Sequence, residues 1–301
     1  MKLKIGLIIQ GPLNSTGIRG PYLRDKSRAI KNEKEFFTEY DCTQNIINLA
    51  KNAEEYFDEV VLSTWQHPSL EILEKNKSIT KLIVSDESKF TSEAINNTIF
   101  LQNYKKMFHT IKVACDYLKS KNLDFIVKVR TDLEVDLKLL HDECIQAHNK
   151  NTILINNNIR DRKRFLEFDD FIFGAESNLF RKWMNNVIYI DFGKPAGTHS
   201  SLFISYIWTK YKDKFFMSKI LFFHKSVVNN SKRISELAIE EWGNFRILGR
   251  NFWENCKLRG ENIDSRYYDF IVPEPLQTPH KIKYNLKAYF QFFKKNFQWN
   301  K

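Results

Sequence analysis

Along the first half of the chain, short apolar runs alternate with stretches whose apolar residues recur at helical spacing. Residues 4–10 read as a first strand and residues 43–56 as a helix, with Ile46, Ile47, Ala50, Ala53 and Tyr56 on one face. A second strand is expected over 59–64 and a third over 81–85, followed by a long helix over 103–119 that leads into a strand beginning at 124. Then come a helix over 137–147, a strand over 152–155, a polar loop over 156–164, a strand within 169–174 and a helix over 177–185. This alternation is the signature of a wound, mostly parallel α/β sheet flanked by helices. Beyond Tyr189 the pattern weakens. With no Ser/Gly-rich linker, repeat or low-complexity tract, the chain divides into a main domain over 1–225 and a helical carboxy-terminal extension over 226–301.

The run DFIVKVRTDLEVD, residues 124–136, is the most pointed of these segments. Phe125, Val127 and Val129 face one side and Ile126 the other, as in a central strand buried on both faces. The apolar run stops at Arg130, Thr131 and Asp132, with Glu134 and Asp136 close behind. In open α/β sheets, ligands bind beyond the carboxyl ends of the strands. A D-x-E pair there can hold a divalent cation through hard oxygen ligands, and the cation can neutralise a diphosphate. The competing reading is that Asp132 or Asp136 caps the following helix.

Composition narrows the setting. At 301 residues and 43% hydrophobic content the chain can bury a sizeable core. Cys42, Cys115, Cys144 and Cys256 are scattered and form no C-x-x-C pair, which points to a reducing cytoplasm rather than a zinc site or a disulfide framework. The amino terminus reads as a strand and not as a signal peptide, and no apolar stretch reaches the roughly 20 residues of a membrane-spanning helix. A soluble protein, or one peripheral on the inner face of the cytoplasmic membrane, is expected. The net charge of +11 favours anionic partners such as nucleotide diphosphates, phosphorylated glycans or acidic lipid. The segment 281–301 is basic, aromatic and free of acids, so it suits an anionic membrane surface or a helix packed on the core. No nucleic-acid-binding motif is recognisable, and nucleic acid is not an expected partner.

Three strand ends carry a resemblance. Gly6-Leu7-Ile8-Ile9-Gln10-Gly11-Pro12-Leu13, Val61-Leu62-Ser63-Thr64-Trp65 and Lys128-Val129-Arg130-Thr131-Asp132 resemble, in order and spacing, the WavE family of lipopolysaccharide-synthesis proteins. Asp170-Phe171-Ile172-Phe173-Gly174 is similar to that family's D-x-x-x-G strand, and the likeness covers residues 4–180. It implies a GT-A-like, Rossmann-type fold and glycosyl transfer in surface polysaccharide assembly. Where the family carries a P-E-Q-type motif, this chain has Thr198-His199-Ser200-Ser201-Leu202, so no role for a glutamate carries over.

Glycosyl transfer needs the departing diphosphate neutralised and the acceptor hydroxyl relieved of its proton. Gln10, Gly11 and Pro12 are candidates for base or ribose contacts, against a simple tight turn. Ser63 and Thr64 can meet ribose or phosphate, and Trp65 can stack on a base or sit in the core. Asp86 is a further candidate for the nucleoside, or a helix cap. Asp132 is the leading ligand for Mn²⁺ or Mg²⁺, helped by Glu134 and His224, with Arg130 as a phosphate fork; the alternatives are an internal Arg130–Asp132 ion pair and a core histidine. Asp170 is preferred to Asp169 as catalytic base, and either can instead cap or form an ion pair. The expected reaction moves a sugar from a nucleotide-activated donor to a lipopolysaccharide, lipooligosaccharide or capsule acceptor, a glycan or glycolipid. The rivals are a nucleotidyl or phosphosugar transferase on the same fold and a non-enzymatic polyanion-binding module.

Overall fold

A computed structural model describes residues 2–18, 37–86, 99–156, 168, 170–187, 197–211, 241 and 244–263. Its strands are β1 (Ile5–Gln10), β2 (Asn14–Ile18), β3 (Phe37–Asp41), β4 (Glu59–Trp65), β5 (Lys81–Ser85), β6 (Phe125–Arg130) and β7 (Leu133–Glu134). They continue with β8 (Ile153–Ile155), β9 (Ile172–Glu176), β10 (Phe245–Ile247), β11 (Lys257–Leu258) and β12 (Glu261–Asn262). The helices are α1 (Thr43–Ala53), α2 (Leu70–Glu74), α3 (Ile99–Leu118), α4 (Leu137–Asn149), α5 (Ser177–Asn185), α6 (Gly197–Tyr211) and α7 (Arg250–Trp253).

A seven-stranded sheet in the order β10-β8-β9-β6-β1-β4-β5 forms the centre, as the alternating sequence pattern predicts. The pairings β1 with β4, β1 with β6, β4 with β5 and β8 with β10 are parallel. β9 is the exception and runs against both β6 and β8. That reversal was not legible in the sequence, and it brings the amino end of β9 to the edge where β1, β4 and β6 end. Val129 pairs with Ile172, so residue 170 is delivered beside Arg130.

The alternation along β6 separates two apolar layers, as its pattern predicts. Ile126, with Ile8 and Val61, packs on Phe108 and Ile111 of α3, Phe180 and Trp183 of α5, and Phe203 and Tyr206 of α6. Phe125, Val127 and Val129, with Leu7 and Leu62, pack on Ile46 and Leu49 of α1 and Leu140 and Cys144 of α4. Cap residues fix where two of these helices start. Asp136 accepts a hydrogen bond from the amide of Leu139, and Glu176 accepts from the amides of Asn178 and Leu179. Among the described residues, no helix is long and apolar enough to cross a membrane.

The late chain departs from expectation. Residues 245–262, assigned from sequence to a helical extension, contribute strands: β10 joins the main sheet, and β11 and β12 form a three-stranded sheet with β7. Arg246 of β10 ion-pairs with Glu143 of α4, its Nη2 lying 2.9 Å from Oε1. These strands are two or three residues long, too short for a period-2 pattern to register. The basic aromatic segment 281–301 lies outside the described residues.

Gly174 tests the central packing. A Cβ there would lie 2.8 Å from Phe125 Cε1, 2.9 Å from the Ile126 carbonyl oxygen and 3.2 Å from Val127 Cα. Both neighbouring strands pair with this residue, so the backbone has no room to retreat. Gly174→Ala is expected to destabilise the protein by about 1–3 kcal/mol, the usual cost of overpacking. The urea midpoint reports it, and an unchanged midpoint would contradict the packing described.

Candidate active site

The three strand ends that carry the sequence motifs are stitched together by buried polar groups. Gln10 pairs with Ser63 on one side and with Arg130 on the other. Its Nε2 donates to Thr110 Oγ1 of α3 at 3.0 Å. Ser63 Oγ donates to the Thr110 carbonyl at 2.8 Å, and Thr64 Oγ1 donates to the Gly11 carbonyl at 2.8 Å. Thr131 Oγ1 donates to the Pro12 carbonyl at 2.8 Å. Both Ser63 and Thr64 are fully buried, so their hydroxyls close the strand ends rather than reach a ribose. Gly11 has φ of +148°, and a Cβ on it would lie 2.4 Å from Thr131 Oγ1, so the chain bends here in close contact with the end of β6. Pro12 itself is exposed.

Trp65 is nearly buried. Its indole lies against His109 of α3 with ring centroids 6.1 Å apart and planes at 21°, and Lys106 Nζ sits 5.9 Å from its ring. It therefore belongs largely to the β4–α3 packing. Asp86 is exposed after β5, three strands from β6 in the sheet order, a separation of about 14 Å at normal strand spacing. It is not brought together with the charged cluster.

That cluster centres on Asp132, which is buried. Arg130 forks onto it, Nε donating to Oδ1 at 2.9 Å and Nη2 to Oδ2 at 2.6 Å. Arg259 Nε lies 3.3 Å from Oδ2, Ser15 Oγ donates to Oδ2 at 2.8 Å, and the Arg259 amide donates to the Asp132 carbonyl at 2.8 Å. Asn45 of α1 braces the segment by donating to the carbonyls of Thr131 at 2.8 Å and Leu133 at 3.2 Å. The internal Arg130–Asp132 ion pair is thus the alternative realised. Glu134 sits in β7 and pairs with Lys257, Oε2 to Nζ 3.6 Å, while Asp136 is the cap of α4.

Asp170 joins the cluster from the bend just before β9. Arg130 Nη1 lies 3.6 Å from its Oδ1, and its backbone carbonyl accepts from Lys128 Nζ. The Arg130 guanidinium also lies 4.7 Å from the centroid of the Phe171 ring. Asp169 and His224 lie outside the described residues. Among the described residues, no group of three His, Cys, Asp or Glu could hold a metal ion. Both oxygens of Asp132 are engaged by guanidiniums and Glu134 by Lys257, so these two carboxylates, as placed, are counter-ions rather than a D-x-E pair open to a divalent cation. A cation at coordinating distance would stand against two positive groups.

Sequence reasoning missed Arg259, Ser15 and the buried Lys128. Arg259 and Gly260, at φ of +53° and +76°, are the two-residue turn joining β11 to β12. A two-residue loop ending in glycine was the available signal, weakened by the shortness of the flanking strands.

Burial pushes the Asp132 carboxyl up, but Arg130, Arg259 and the Ser15 hydrogen bond together hold it below the usual carboxylate value. A carboxylate depressed in the fold stabilises it above its unfolded value, near pH 4. That contribution disappears as pH falls through the folded value. Urea unfolding should therefore show stability declining on acidification below about pH 4. Asp132→Asn should flatten this decline and cost about 3–5 kcal/mol at neutral pH, because it leaves two half-buried guanidiniums without their counter-charge. A mutant with the wild-type acid slope would rule out this linkage.

No protein-family profile matches the chain, and no curated protein matches its sequence. Among solved structures, a cytidylyltransferase from Leptospira borgpetersenii serovar Hardjo-bovis is similar at 16% identity and TM-score 0.35, over 71% of this chain and 74% of that one. A protein of Desulfovibrio desulfuricans described as a nucleotide-diphospho-sugar transferase is similar at 9% identity and TM-score 0.38, over 69% and 78%. Mouse xyloside xylosyltransferase 1 is similar at 12% identity and TM-score 0.31, over 70% and 83%. Likenesses this distant carry no argument about activity. The resemblance to the WavE family rests on the strand-end strings alone.

Proposed function

We propose that the protein is a glycosyltransferase that moves a sugar from a nucleotide-activated donor to a bacterial surface glycan or glycolipid. One observation carries the reading. The carboxyl ends of β1, β4 and β6 and the amino end of β9 lie along one edge of the sheet, where Arg130 and Asp170 meet at 3.6 Å. The edge of an open α/β sheet is where such folds take nucleotides. The half-buried Asp170 carboxylate is the group placed to accept a proton from the acceptor hydroxyl. In that step the acceptor oxygen bonds to the anomeric carbon while the bond from that carbon to the diphosphate oxygen breaks, and the diphosphate leaves with the electron pair. Arg130 orients Asp170 and faces the leaving group. The strand-end resemblance supports a lipopolysaccharide, lipooligosaccharide or capsule acceptor. The basic aromatic segment 281–301 supports action at the inner face of the cytoplasmic membrane.

Release of nucleoside diphosphate from a panel of nucleotide sugars tests the reading, with lipid-linked glycans as acceptors. Asp170→Asn should lower kcat by about 10²–10⁴-fold while leaving KM within a few-fold. Pyrophosphate release with a nucleotide left on the acceptor would replace this reading with nucleotidyl transfer. Salt-sensitive binding to any polyanion without turnover would favour a binding module.

A further inference from the structure

Asp132 stands where the sequence places a metal ligand, yet its surroundings are those of a counter-ion. We propose that Arg130 and Arg259, not a divalent cation, meet the negative charge of the donor's diphosphate, with Asp132 as the positioning residue that fixes both guanidiniums. This deepens the nucleotide-sugar reading and rests on it.

Exposure decides which charge the cluster presents. The side chains of Arg130 and Arg259 keep 23% and 18% of their surface in contact with solvent, whereas that of Asp132 keeps 2%. The Asp170 side chain, at 21%, is a partly exposed carboxylate beside them, so an approaching anion meets two guanidiniums flanked by a carboxylate. Arg130 is held along its inner edge by two hydrogen bonds from Nε and Nη2 to the carboxylate, and its plane lies near the Phe171 ring. A guanidinium fixed in this way presents a planar, preorganised shape that matches phosphate oxygens. Asp170 also faces Arg130, at Nη1, and an anion bound beside it would lie next to the proposed base.

Arg259 adds an independent sign. It holds φ of +53°, a conformation that long side chains rarely adopt and that Gly or Asn takes more readily. Its amide donates to the Asp132 carbonyl, and its Nε approaches both Asp132 Oδ2 and, at 3.1 Å, Ser15 Oγ. The turn geometry asks for Gly or Asn. The chain instead places a guanidinium there, aimed at the end of β6, and strained backbone of this kind concentrates at ligand-binding sites.

Titration calorimetry of inorganic pyrophosphate, with the full chain in EDTA and then with excess Mg²⁺ or Mn²⁺, tests the assignment. Binding should persist in EDTA with Kd within about threefold of the value in metal. Arg259→Asn keeps a residue suited to the turn and should weaken binding at least about tenfold, with circular dichroism and melting temperature showing an intact fold. Arg130→Gln should also weaken binding and lower turnover, with a lower melting temperature because it takes the forked partner from buried Asp132. Binding of pyrophosphate or a nucleoside diphosphate only with metal, or an Arg259→Asn protein that binds like the wild type, would overturn the arginine assignment while leaving the nucleotide-sugar reading in place. No binding of pyrophosphate or any nucleoside diphosphate under either condition would overturn both.

Discussion

A carboxylate removed from water must find positive partners or give up its charge, and the buried Asp132 imposes that constraint on three distant parts of the chain. Arg130 comes from the end of β6, Ser15 from β2, and Arg259 from the turn between β11 and β12. No one of these segments satisfies the charge alone. The small β7–β11–β12 sheet is seated by burial of Leu133, Leu258 and Ile263 in the core, and from there Arg259 reaches Asp132 through its backbone amide as well as its side chain.

The same strand end separates support from chemistry by simple alternation. Residues 125, 127 and 129 of β6 enter the layer of α1 and α4. Residues 126, 128 and 130 share the other face, and along it the chain passes from apolar to charged: Ile126 in the core, Lys128 fully buried yet bonded to the Asp170 carbonyl, Arg130 at the rim. The reversed β9 runs beside this face and supplies Asp170 where an added parallel strand would have ended in a different loop.

Much of the fold was legible because the strands of the first half are long enough for their burial pattern to show. Residues 81–85 and 177–185 match their observed elements to the residue, and the ends of β1, β4 and β6 fall at the strings Gln10-Gly11-Pro12, Ser63-Thr64-Trp65 and Arg130-Thr131-Asp132. What failed had physical causes. The apolar residues of α6 are not confined to one stripe of GTHSSLFISYIWTKY, so no helical period stood out. The β2–β3 hairpin reads NSTGI and FTEYD, with little alternation. At the site, the Arg130–Asp132 ion pair and the Asp136 cap were among the readings the sequence offered, whereas spacing along a strand does not say that a hydroxyl such as Ser63 is consumed by a helix carbonyl. The turn at Arg259 left a weak local signal, but its contacts with Asp132 and Ser15, far away in the chain, left none.

The turn at Arg259 also has a consequence for how the chain is made. A ribosome releases β1, β4 and β6 long before residue 259, and those strands can pair as they emerge. Until the turn between β11 and β12 follows, Asp132 has Arg130 but lacks its second guanidinium, and the nascent sheet edge stays electrostatically incomplete. The arrival of that turn is therefore also the step that completes the charge pattern around Asp132. A chain interrupted before that turn would carry the strand motifs without the finished cluster.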